Sequence, residues 1–164
     1  MKHIKKLILD KSSDALEEEV FEALAKDVLE GLNVDLVSIW YFNDDHSVLT
    51  CKYSLDRNKK INLKDFKLLE KDYPHYFNAI IEMVSLKADD VYTHPGTKEL
   101  IKDYLEPYKI YSLLDYLICE GGKKTGLICC ETTSGKRIWQ EDDVDLIRVL
   151  TVMAGVELKN THQN

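Results

Sequence analysis

The sequence predicts one α+β domain: an antiparallel sheet of five to six strands, helices from the chain ends on one face, and short helices and loops over the other. Three observations predict it. The stretch Tyr111 to Glu131, YSLLDYLICEGGKKTGLICCE, is two apolar runs joined at Gly121-Gly122. A Gly-Gly turn between apolar runs marks a hairpin, because glycine supplies the positive φ that a two-residue turn requires. Long helical periodicity is confined to the two ends of the chain. The length, 164 residues, suits one core and is short for two.

In chain order, residues 1–13 are a short charged segment expected to be flexible. Asp14 to Glu30 predicts a helix, with Leu16, Val20, Leu24 and Val28 recurring every fourth residue, Asp14 as its cap, Glu17 in capping-box position and Gly31 as its end. Val34 to Phe42 and Val48 to Leu55 are β-branched and aromatic runs around the turn residues Asn43 to His46, and so predict a strand pair. A weaker third strand is expected near Lys60 to Leu63. Asp72-Tyr73-Pro74 opens a helix, with Asp72 as cap and Tyr76, Phe77, Ile80, Ile81 and Val84 as its buried stripe. An extended piece, Ser85 to Ala88, and an irregular loop follow. Thr97 then caps a helix carrying Leu100, Ile101, Tyr104 and Leu105, closed by Pro107. After the hairpin, Gln140 to Leu158 is the last helix, acidic in its first turn as the helix dipole favours, and 159–164 are a tail. Its apolar residues form two lines, so it must be covered on two sides.

With the turn at Gly121-Gly122, Leu113 is expected to face Cys130, Asp115 to face Ile128 and Leu117 to face Gly126. One hairpin face then carries Leu113, Asp115, Ile128 and Cys130. The other, with Leu114, Tyr116, Ile118, Leu127 and Cys129, is nearly all apolar and calls for helices. The mixed face suits the floor of a ligand pocket.

Composition narrows the function classes. The formal charge of −7 disfavours nucleic acid and anionic lipid as partners. The run Lys59, Lys60, Lys64, Lys67 and Lys71 is interrupted by acids and lacks a stacking platform, so it reads as a solvated face. The apolar run Leu7-Ile8-Leu9 ends at Asp10, well short of the roughly 7–15 residues of a signal core. No window reaches membrane-spanning length, so a cytoplasmic protein is expected. The four cysteines, at 51, 119, 129 and 130, form no C-x-x-C pair, which argues against zinc and disulfides.

Several segments together resemble the GAF domain family: VSIWYF at 37–42, DYPHYF at 72–77, ADDVYTHPGTKEL at 88–100, YLEPYKIYSLLDYLICEGGKKTGLICCE at 104–131 and RIWQEDDVDLIRVL at 137–150. The likeness covers residues 14–158 and points to sensory GAF modules of bacterial histidine kinases and diguanylate cyclases. It implies a pocket between the sheet and the 65–110 cover, with Ile128, Cys130 and Thr132 pointing into it beside Leu113 and Asp115. On the first strand it implies Trp40, with Ser38 beside it. It also implies a homodimer through the Asp14–Glu30 and Gln140–Leu158 helices, and a kinase or cyclase as output partner. The Asn58-Lys59 pair lacks the rest of the cyclic-nucleotide motif, and Cys129-Cys130-Glu131 stands where bilin-binding relatives carry a histidine pair. No cofactor is identified.

The individual candidates each have a structural alternative. Asp115, mid-strand among apolar residues, needs a partner: a ligand donor or cation, or backbone amides of the 89–97 loop. Cys130 is a redox thiol or a small core residue. Tyr76 is both packing stripe and pocket wall. Asp89 contacts ligand or bonds its own turn, and Asp90 reads as the latter. His75 and His94 read as surface or capping residues. The function expected is a non-enzymatic small-molecule sensor with output through the terminal helices. The alternatives are a GAF-fold enzyme, such as a free methionine sulfoxide reductase, and a dimerisation module whose pocket is filled by its own side chains. The enzyme would need cysteines between 52 and 118, where there are none.

Overall fold

In the computed structural model, which describes residues 1–10 and 15–163, the elements run α1 (Lys2–Leu9), α2 (Glu17–Leu32), β1 (Leu36–Phe42), β2 (Val48–Asp56), β3 (Lys67–Leu69), α3 (Pro74–Met83), β4 (Ser85–Ala88), a 3-10 turn (Lys98–Leu100), a π-helical turn (Ile101–Leu105), β5 (Ser112–Glu120), β6 (Lys123–Thr132) and α4 (Glu141–Gln163). The six strands form one antiparallel sheet in the order β3-β2-β1-β6-β5-β4. The expected α+β fold is present, and β1 and β6 are its centre because both are apolar on both faces.

Strand alternation sends two cores to opposite sides of the sheet. On one side Val37, Ile39, Leu114, Ile118, Ile128 and Cys130 pack against Val20, Leu24 and Val28 of α2 and Ile147, Leu150, Ala154 and Leu158 of α4. On the other side Trp40, Leu113, Leu117, Leu127 and Cys129 pack against Tyr76, Phe77 and Ile80 of α3 and Leu100, Tyr104 and Leu105 of the two short turns. The cover is thus a second apolar layer, and both faces of the sheet are closed.

The Gly121-Gly122 turn is as expected: both glycines have positive φ, at 58° and 84°, and Glu120 pairs with Lys123. The register beyond it is not. Cys119 pairs with Lys124 but Ile118 pairs with Gly126, so Thr125 is an extra residue on β6 and the ladder bulges there. From that point Leu117 faces Leu127, Asp115 faces Cys129 and Leu113 faces Glu131. A one-residue slip exchanges the two faces of a strand. The bulge also sets Gly126 against β1, where an added Cβ would lie 2.1 Å from the Trp40 carbonyl oxygen.

Other differences have local causes. Residues 2–9 form a helix where only a charged segment was expected. Ile4 is its buried residue, and the Asp27 carboxylate accepts hydrogen bonds from the His3 (3.1 Å) and Ile4 (2.9 Å) amides at its start. Asp14, the expected cap of the second helix, lies outside the described residues. That helix begins after Leu16, whose amide donates to Glu19 (2.8 Å), and it runs through Gly31 to Leu32, with Asn33 taking the left-handed turn at φ 53°. Gly31 instead admits Leu146 of α4, which a Cβ would meet at 2.8 Å. Lys60 to Leu63 is not a strand: the Asp56 carboxylate gathers the Asn58, Lys60 and Ile61 amides at 2.8–3.1 Å, and the third strand forms later, at Lys67–Leu69. Tyr73, not Asp72, is the cap residue of α3; Thr97 stands at the expected cap position, before the 3-10 turn, with its hydroxyl donating to the Val91 carbonyl (2.7 Å). Val84, expected in the stripe of α3, is exposed. α4 continues to Gln163, through the expected tail. No described helix is long and apolar enough to cross a membrane.

Candidate functional site

The cover face of β5 and β6 holds an unusual polar group inside an apolar layer. Strand parity puts Asp115 and Cys129 directly opposite one another, with Glu131 one step along the same face. Asp115 is 1% exposed and Glu131 0%. Each carboxyl receives one hydrogen bond from a cover tyrosine: Tyr76 Oη donates to Asp115 Oδ2 at 2.5 Å, and Tyr104 Oη donates to Glu131 Oε1 at 2.8 Å. The remaining oxygens, Asp115 Oδ1 and Glu131 Oε2, have no hydrogen-bond partner among the described residues. Among the described residues, no lysine, arginine or histidine pairs with either acid. Leaving such oxygens buried and unpaired costs free energy.

Each tyrosine is delivered by the cover. α3 starts at Pro74, and its free amides at His75 (3.0 Å) and Tyr76 (3.2 Å) are taken up by the Glu99 carboxylate. That contact ties the start of α3 to the 3-10 turn and fixes Tyr76 over Asp115. Tyr104 sits on the π-helical turn, with its ring edge-on to Trp40 (6.1 Å between centroids), Phe66 (5.7 Å) and Tyr108 (5.6 Å). Such aromatic geometry is favourable beyond simple burial. Trp40 donates its indole N–H to Ser38 Oγ at 2.8 Å, so the tryptophan side chain is also fully satisfied.

Burial dominates the electrostatics. Desolvation pushes Asp115 up to about 7, against the opposing hydrogen bonds of the Cys129 thiol and Tyr76. Desolvation, then the charge of Asp115, push Glu131 up to about 8, against the Tyr104 hydrogen bond. The thiols of Cys129 and Cys130 are both raised well above the ordinary range by burial, the opposite of an activated nucleophile. Among the described residues, no three His, Cys, Asp or Glu side chains are placed to hold a metal ion.

Of the residues singled out in the sequence, Trp40, Tyr76, Leu113 and Asp115 come together on the cover face. Ile128 and Cys130 do not. The Thr125 bulge turns them to the helix face, where they pack under α2 and α4. Thr132 shares their parity, and its hydroxyl donates to the Gly135 carbonyl (2.7 Å). Asp89 lies apart on the surface. Its carboxylate accepts the Trp139 amide (2.9 Å) and its carbonyl accepts the Ser112 hydroxyl (2.6 Å), fastening the loop before α4. Asp115 is bonded to a tyrosine hydroxyl, not to amides of the 89–97 loop. His75 is exposed at the start of α3 against Glu99, and the His94 ring accepts the Gly96 amide (3.0 Å). Glu131 and Tyr104 are the members that sequence reasoning missed. The available signal was a lone glutamate closing the apolar run LICCE.

The GAF domain family profile matches residues 17–158. The chain belongs to the GAF domain family. By sequence, no curated protein matches it. Among solved structures, the blue-light-absorbing form of the PixJ GAF domain of Thermosynechococcus elongatus is 20% identical, with a TM-score of 0.78 over 90% of this chain and 87% of that one. The phycocyanobilin-bound GAF domain of a cyanobacterial phytochrome is 18% identical, at 0.78 over 98% and 92%. The GAF domain of an Acinetobacter phosphoenolpyruvate-protein phosphotransferase is 10% identical, at 0.73 over 98% and 93%. At these identities the likeness establishes a common fold. In this GAF domain the polar cover-side group is built from the chain's own residues.

Proposed function

We propose that this GAF domain is a non-enzymatic regulatory module that binds a small molecule between the β5–β6 floor and the 65–110 cover. The observation that carries this reading is the pair of fully buried carboxyls with one unpartnered oxygen each, in a layer otherwise made of aromatic and aliphatic side chains. A sheet built only for packing would place apolar residues there, because replacing buried ionisable groups by apolar ones is often neutral or stabilising. The bilin of the phytochrome domain is not carried over. Trp40, Phe77 and Tyr104 pack directly on the floor, so the ligand proposed is much smaller than a tetrapyrrole. Asp89, Ile128, Cys130 and Thr132 have no part in it.

Output would pass to α2 and α4, which lie behind the same two strands. Gly155 of α4 sits so close to β5 that an added Cβ would be 2.3 Å from the Cys119 carbonyl oxygen. A shift of the hairpin is therefore felt by α4. Val149, Val152 and Val156 are 44%, 61% and 56% exposed along α4, and this stripe is the surface through which we propose a homodimer forms. A cytoplasmic location and a kinase or cyclase partner complete the proposal.

A second reading has its own support. Trp40, Tyr76 and Leu113 are 1%, 2% and 1% exposed, as a dimerisation module with a self-filled pocket would have them. Native mass spectrometry with an absorption spectrum of the freshly purified protein separates the two. A co-purifying small molecule supports the sensor. Apo protein that no compound of a broad metabolite panel stabilises against heat supports the self-filled module.

A further inference from the structure

We propose that Asp115 and Glu131 are the recognition pair for a small organic cation carrying several N–H donors: an alkylammonium, amidinium or guanidinium group. This inference rests on the ligand-binding reading above and names its ligand class.

Geometry points to a donor-rich cation. The two carboxyls are diagonal neighbours on one face of β5 and β6, a spacing of roughly 7–8 Å between backbones that side chains can bridge. Each already holds one tyrosine hydroxyl on its other oxygen. What the described residues leave unmet is two acceptors, Asp115 Oδ1 and Glu131 Oε2. A ligand with two or more N–H groups satisfies both at once, and its charge offsets the carboxylates that no cationic side chain of the described residues approaches. A planar guanidinium or amidinium presents such donors in a fixed fork. A metal ion is a poorer fit, since no third ligand of the needed type is placed beside the pair among the described residues. An anion would meet two acids, in a protein whose net charge is already −7.

The walls suit the same ligand. Trp40, Phe66, Tyr104 and Tyr108 form a connected aromatic cluster beside Glu131, and aromatic faces attract organic cations. Tyr104 is carried by a π-helical turn, a rare geometry that recurs at functional sites. Tyr76 and Tyr104 supply donors that the cation would reinforce or replace. The groups facing the two acids are Tyr76 from α3, Tyr104 from the π-turn, Cys129 from β6 and each other. None is cationic, so a bound cation must draw the acids into their ionised forms. Binding then releases protons and tightens as pH rises.

The test uses agmatine and n-butylammonium as probes, with n-butanol and butyrate as the neutral and anionic controls. Calorimetry on the full chain at pH 6.5 and 8.5, in two buffers of different ionisation heat, reports affinity and proton release together. The expected result is binding of at least one cation, about tenfold or more tighter at pH 8.5 than at 6.5, with protons released and neither control bound. The variant Asp115→Asn/Glu131→Gln should stay folded by circular dichroism and lose the binding. If neither cation binds the wild type, or if the variant binds it equally well, the inference is overturned. The sensor reading is judged separately. A co-purifying neutral or anionic molecule would leave that reading standing with this inference refuted, and apo protein that no compound stabilises would remove both.

Discussion

Replacing Glu131 by Gln should stabilise the domain, and by an amount that depends on pH. Glutamine keeps an acceptor for the Tyr104 hydroxyl and cannot ionise. In the folded chain Glu131 holds its proton up to about 8, whereas an unfolded glutamate loses it near 4.3. Between these values the folded state binds a proton that the unfolded state has released. Stability therefore falls as pH rises, and the loss is complete once the folded group also ionises. The slope is about 1.4 kcal/mol per pH unit, so the full span is on the order of 5 kcal/mol. Glu131→Gln removes this loss. Urea unfolding at pH 5, 6, 7, 8 and 9 should show a small difference between wild type and variant at pH 5, a growing advantage of the variant to pH 8, and a plateau beyond it. A constant difference, or a variant that weakens relative to wild type as pH rises, would refute the assignment of Glu131 as a buried acid without a charge partner.

Three further outcomes follow from separate parts of the molecule. Gly126→Ala drives a methyl into the Trp40 carbonyl and should cost about 3 kcal/mol or more, read as a lowered urea midpoint or as loss of soluble protein. His162 lies between Glu17 and Glu120, and those hydrogen bonds, Glu17 first, raise its pKa. Its contribution is thus fully present below about 6.5, the unfolded value, and is lost as pH rises through the folded one. Hydrogen exchange at the end of α4 should accelerate over that rise in wild type and much less in His162→Gln. Val152→Asp, on the exposed valine stripe of α4, should turn the proposed homodimer into monomer in light scattering without changing the melting temperature of the monomer. An unchanged mass would place the dimer contact elsewhere, or nowhere.

The fold was legible in the sequence because its main signals are local. A Gly-Gly turn, two strand pairs and the periodic stretches of α2 and α4 each need only their own residues to be read. α1 was within reach, since Ile4, Leu7 and Ile8 recur at helical spacing, but the three lysines among the first six residues obscured them. The site was half legible, and the reason is one residue. The bulge at Thr125 exchanges the faces of β6, and the run Leu127-Ile128-Cys129-Cys130 is apolar on both, so alternation could not report the slip. β5 has no such slip before its pairing with β6, and Leu113 and Asp115 point where their parity put them. Leu113 and Asp115 therefore face the cover, whereas Ile128 and Cys130 face the helices. Glu131 was lost with the slip, although a buried carboxylate partner for Asp115 is the feature that makes the floor chemically distinctive. Asp89 shows the other limit. An acid beside an irregular loop is equally suited to a ligand and to the amide of Trp139, and only the three-dimensional arrangement separates them.

Binding of a small molecule under the cover, against Asp115 and Glu131, can be read by hydrogen-exchange mass spectrometry with and without a small-molecule fraction of cell extract. Added protection is expected in two places, the 98–105 turns and the 112–132 hairpin, in the wild type and not in Asp115→Asn/Glu131→Gln. Identical exchange with and without the fraction, or protection that survives in the variant, would contradict it.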